Sequence, residues 1–95
     1  MENAEIRRKL VFMRPAQVAE ALGISKSTVY KQAVDGLLPK FIRIGRRATA
    51  WPATELAQVF EARASGASND EIRALVGDLM AARGKMQSRE DVNHA

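Results

Sequence analysis

Gly23 constrains this chain more than any other residue. It stands between PAQVAEAL and ISKSTVYKQAVDG, two segments whose apolar residues recur at helical spacing. A glycine there accepts left-handed or strained backbone that a side chain resists, so the two helices turn sharply on each other. Pro15 opens the first helix, since its missing N–H costs nothing at the first helical position. Val18, Ala19 and Leu22 form its apolar stripe. Ser25 is a good N-cap for the second helix, Ser25–Asp35, and Gly36 a good residue to end it. That helix is about 16 Å long. Val29 and Ala33 face inward, which leaves Lys26, Ser27, Tyr30, Lys31 and Val34 for the outer face.

Pro39 stops any further helix. Lys40–Ile44 and Arg47–Trp51 then read as two short strands, and Gly45-Arg46 suits a two-residue type II′ hairpin turn. In that register Ile44 opposes Arg47, Ile42 opposes Thr49, and Lys40 opposes Trp51. Ile42, Ile44 and Trp51 share the inward face, with Trp51 as a core plug. Arg46 sits at the tip and Arg43 on the outer face. Phe41, also outward, either meets a neighbouring protomer or covers the Arg43 stem. Pro52 opens a third helix with Leu56, Val59 and Phe60 at helical spacing, ending near Ser65-Gly66. Ser68 and Glu71 form a capping-box signal. The fourth helix carries Ile72, Leu75, Val76, Leu79 and Met80, with Gly77 weakening it by about 1 kcal/mol.

The expected fold is mainly α with a small two-stranded β-hairpin: a winged helix-turn-helix plus a C-terminal helix. Residues 1–10 are expected as a flexible arm and 11–64 as the winged domain. Residues 65–84 are expected as a helix that completes the core or docks on another protomer, and 85–95 as a polar, flexible tail. A chain of 95 residues buries only about 60% of its unfolded surface, so the core is modest.

Composition removes several function classes. With no cysteine, disulfides and thiolate metal sites are excluded. The apolar runs are too short for a membrane helix, and MENAEIRRKL lacks the apolar stretch of a signal peptide. A cytoplasmic, nucleoid-associated protein without membrane contact is expected. The single histidine, His94, stands in the tail away from any partner. Glu55 and Glu61, or Asp70 and Glu71, read as helix-start and surface charges rather than an acid/base pair. Gly45 stands alone, not in a phosphate-binding glycine loop. No catalysis, cofactor or metal is expected.

Charge is placed unevenly. Residues 15–51 carry Lys26, Lys31, Lys40, Arg43, Arg46 and Arg47 against Glu20 and Asp35, whereas acids outnumber bases beyond Trp51. That basic half would attract a polyanion, or would simply aid solubility. A polar second helix on a glycine corner fits a major groove, whose width of about 12 Å admits one helix. Ser25, Lys26, Ser27, Tyr30 and Lys31 would enter it, with Arg46 and Arg47 gripping the backbone alongside and Arg43 as a further phosphate contact. The plainer alternative is a helical corner with a solvated face. For Tyr30, the alternatives are a phosphate contact or a cap on the hydrophobic edge.

The run from Met13 to Trp51 resembles the AlpA-type family of phage and mobile-element regulators, relatives of excisionases with a MerR-like winged helix-turn-helix. Arg14…Val18, ALGISKSTVY, DGLLPK and IGRRATAW carry the resemblance, with Pro52 and Glu55-Leu56 after them. Gln32 departs from it, at a position usually aliphatic or aromatic. The resemblance implies double-stranded DNA at an attachment site or promoter as partner. It implies either transcriptional regulation or a recombination directionality factor that bends attachment-site DNA for an integrase. Ser25, Ser27, Thr28, Tyr30 and Lys31 map onto its recognition helix, and Arg46 and Arg47 onto its wing. A head-to-tail homo-oligomer on DNA is a further expectation. The alternative from another class is a protein-interaction module, antitoxin- or adaptor-like, on the same scaffold.

Overall fold

The computed structural model describes residues 11–94, with side chains from Val11 to Gly84; the expected arm over residues 1–10 lies outside the described residues. The elements run β1 (Phe12–Met13), α1 (Pro15–Leu22), α2 (Lys26–Val34), β2 (Ile42–Arg43), β3 (Thr49–Pro52), α3 (Ala53–Ala64) and α4 (Asn69–His94). The chain is thus mainly helical with a small antiparallel sheet: a winged helix-turn-helix followed by a C-terminal helix.

Local chemistry sets the helix ends. Gly23 takes φ 71°, and its N–H reaches the Ala19 and Glu20 carbonyls. Gly36, at φ 80°, follows the C-cap Asp35 of α2. At α4 the capping box is complete: Glu71 N–H donates to Ser68 Oγ at 3.2 Å, and Ser68 N–H to Glu71 Oε1 at 2.8 Å.

The sheet departs from expectation in two ways. First, it has three strands, ordered β1-β3-β2, because Phe12 and Met13 pair with Pro52 and Trp51. Second, the hairpin register is shifted by one residue. Ile42 lies opposite Ala50, Arg43 opposite Thr49, and Ile44 N–H donates to the Ala48 carbonyl at 2.9 Å. The connection is therefore Gly45-Arg46-Arg47, not Gly45-Arg46. Gly45 is not among the glycines with positive φ, so the type II′ turn does not form. Long-range contacts outweigh the turn preference here: Trp51 is fully buried, and its indole N–H donates to the Pro39 carbonyl at 2.6 Å. With the register shifted, Ile44 does not pack inward as expected but stays 45% exposed, and Ile42 is half-buried.

α4 also continues to His94, past the polar segment expected to be a tail. One glycine at position 84 costs about 1 kcal/mol, and the residues after it carry no proline to break the ladder.

The core draws on every helix. Val18, Val29, Leu38, Trp51, Leu56, Val59, Ile72 and Val76 form one buried cluster, with Leu75, Leu79 and Met80 packed against it. Each fully buried aliphatic side chain stabilises by about 1.5–3 kcal/mol. The α4 stripe thus packs back on the rest of the core.

Arginines from α3 and α4 hold the α2–β2 linker. Arg73 Nε donates to the Asp35 carbonyl at 3.0 Å, Arg63 Nη2 to the Leu37 carbonyl at 2.8 Å, and Arg83 Nη2 to the Lys40 carbonyl at 2.8 Å. Arg63 Nη2 also donates to Gln32 Oε1 at 2.8 Å, which accounts for a polar residue where the family pattern favours an apolar one. Burial lowers the Arg63 pKa from the ordinary arginine value, and its Nε is buried without a partner among the described residues.

Candidate nucleic-acid interface

The outer face of α2 begins at Ser25, whose hydroxyl accepts from the Thr28 N–H at 3.2 Å and also meets the Thr28 and Ser27 hydroxyls at 2.9 and 3.1 Å. Ser25 and Thr28 therefore commit their hydroxyls to the helix start, and Thr28 is half-buried. Lys26, Ser27 and Lys31 are exposed on the helix surface, as are Arg43, Arg46 and Arg47 on the wing.

Tyr30 is half-buried where α2 meets the wing. Its hydroxyl meets the Thr49 hydroxyl at 2.9 Å. Its ring packs edge-on against Phe41 at 5.3 Å and lies 5.8 Å from Trp51. Tyr30 thus sits at the hydrophobic edge and joins α2 to the wing. Phe41 also differs from expectation: it does not lie on the face away from the core but packs edge-on against Trp51 as well as Tyr30.

Between α1, α2 and the wing lies an open concavity of about 490 Å³, lined by Arg14, Pro15, Ala16, Lys26, Ser27, Tyr30, Arg47 and Thr49. Three of these side chains are basic and, among the described residues, none is acidic. The starts of α1 and α2 both contribute to it, and helix N-termini favour anions. The tertiary structure thus brings Lys26, Ser27, Tyr30 and Arg47 together, while Arg43 and Arg46 lie outside this lining. Arg14 and Thr49 join the site unforeseen. Arg14 directly precedes the proline that opens α1, a position from which a long basic side chain can reach the second helix start. Thr49 becomes identifiable only once the hairpin register is known.

Among the described residues no helix is long and apolar enough to cross a membrane, and no group of three or more histidines and acids is placed to hold a metal ion. A search of curated proteins found no significant match, nor did a search of solved structures. The family model for the prophage CP4-57 regulatory protein (AlpA) matches residues 11–64, which take in the sheet, both helices of the corner, the wing and α3. That span is more than half of the chain and contains the whole Met13–Trp51 run that carries the family's motifs; the protein belongs to the AlpA family of prophage regulatory proteins.

Proposed function

We propose that the protein is a sequence-specific double-stranded DNA-binding regulator of a mobile element, without catalytic activity of its own. The observation that carries this reading is the acid-free concavity lined by Arg14, Lys26 and Arg47, directly beside the exposed polar face of α2. A duplex fits both features at once. The α2 surface enters the major groove, with Lys31 and Ser27 at base edges. The concavity and the wing arginines take the flanking phosphates. Its biological outcome is control of transcription, excision of the element as a directionality factor working with an integrase, or both.

Salt dependence tests the reading. If about four basic side chains meet phosphates, affinity for duplex DNA falls about 100-fold between roughly 50 and 200 mM salt. A flat response overturns the proposal and favours a protein-interaction module. Footprinting across the attachment site and promoters of the parent element then separates the outcomes. Regularly spaced protection beside the crossover sequence means excision, and one promoter-proximal site means transcription control.

A further inference from the structure

Val34 is the anomaly on the outer face of α2. It is 82% exposed, the most exposed of the large hydrophobic side chains among the described residues. At 3.6 residues per turn, Ser27, Lys31 and Val34 fall within about 60° of one another, with buried Val29 on the opposite side of the helix. Val34 is therefore central to the face that carries the polar groups, and it can neither donate nor accept a hydrogen bond.

A second feature adjoins it. Ala33, Val34, Lys40 and Phe41 line a mostly apolar, half-open concavity of about 270 Å³. Phe41 is held there by its edge contacts with Tyr30 and Trp51. Among the described residues, the charged side chain in its lining is that of exposed Lys40. An occupant suited to this notch presents a small apolar group with a negative charge nearby. Duplex DNA offers that pairing in the major groove, where the thymine methyl group projects within reach of the phosphate backbone.

Resting on the DNA-binding reading above, we infer that Val34 and the adjoining notch read a thymine methyl group, making Val34 a specificity-determining residue. Lys31 and Ser27 address hydrogen-bonding base edges, Val34 addresses the methyl, and Lys40 anchors the neighbouring phosphate.

The test uses the full chain and a duplex that it enriches from a random library. Each thymine in the footprint is replaced singly by deoxyuridine, which lacks only the methyl group. Loss of one buried methyl-sized group weakens binding about four-fold. One replacement is expected to weaken the wild-type protein by that factor. Val34→Ala and Val34→Ser are expected to weaken binding to the unmodified duplex similarly and to abolish the uracil effect. Because Val34 is exposed, both variants should keep the wild-type melting transition.

A wild-type protein indifferent to every uracil overturns the assignment, and so does an undiminished uracil effect in both variants. If the variants instead alter sedimentation of the free protein and keep the uracil effect, the notch is a contact between copies. Failure to enrich any duplex removes the DNA-binding reading and this inference together; enrichment without a uracil effect removes this inference alone.

Discussion

The Tyr30 and Thr49 hydroxyls meet at 2.9 Å, joining α2 to the central strand of the sheet. The wing is thus held to α2 by a specific contact as well as by the chain between them. With Phe41 and Trp51 packed around the Tyr30 ring, the joint lies beside the basic concavity that Lys26 and Arg47 line. Tyr30→Phe should cost about 0.5–1.5 kcal/mol of stability, the net worth of an ordinary hydrogen bond. Thr49→Val should cost a similar amount. Urea denaturation of the double variant should show clearly less than the sum of the two losses. Full additivity would mean that the two hydroxyls do not stabilise the fold through each other.

Arg83 tests whether α4 belongs to the folding unit. Its guanidinium grips both carboxylate oxygens of Glu55 and the Lys40 carbonyl, and the Arg83 and Glu55 side chains are only 26% and 14% exposed. Arg83→Met leaves Glu55 without its partner and should cost about 1.5–3 kcal/mol, the range for hydrogen bonds to charged groups. Thermal melts of the full chain measure it. A change within a few tenths of a kcal/mol would place the pair among exposed surface bridges that contribute little.

Gln32 and Arg63 should behave as one unit. Arg63→Met strands the Gln32 amide and the Leu37 carbonyl, and should cost about 1–3 kcal/mol. Gln32→Leu alone leaves an already under-satisfied guanidinium with one partner fewer and should also destabilise. The double variant restores an apolar contact and should recover at least 0.5 kcal/mol relative to the sum. Denaturant midpoints of the four proteins decide the point, and exact additivity would contradict the coupling.

The wing and the helix should divide their labour on DNA. Arg46→Ala with Arg47→Ala should weaken all duplexes alike and make the salt slope about 1.8 units shallower, if each arginine meets one phosphate. Lys31→Ala should instead relax sequence preference by about 1–3 kcal/mol at one base pair. Affinity measured on matched and scrambled duplexes over a salt series separates them. Equal loss of specificity from the wing variant would contradict the assignment.

Signals confined to a few neighbouring residues needed no tertiary context. The glycine corner at Gly23, the Ser25 cap, the Pro15 start and the Ser68–Glu71 capping box each lie within one helical turn, and all of them recur in the structure. The apolar spacing of Ile72, Leu75 and Val76 likewise marked the buried face of α4, because one helix face can be read from one segment. Arg14…Val18, ALGISKSTVY, DGLLPK and IGRRATAW, with Pro52 and Glu55-Leu56, point to the AlpA family, whose model matches residues 11–64.

Features that depend on distant partners came out differently. A hairpin register is a choice between two pairings one residue apart, and the anchoring of Trp51 on the Pro39 carbonyl won over the turn chemistry of Gly45-Arg46. Two-residue β1 is too short to show alternation and exists only because β3 offers it an edge. The placement of Tyr30 against Thr49, of Arg63 against Gln32, and of Arg14 beside Lys26 and Arg47 joins residues far apart in the chain. Spacing along one segment encodes which face it buries; which side chains meet across segments is settled by packing and by the need to satisfy buried polar groups.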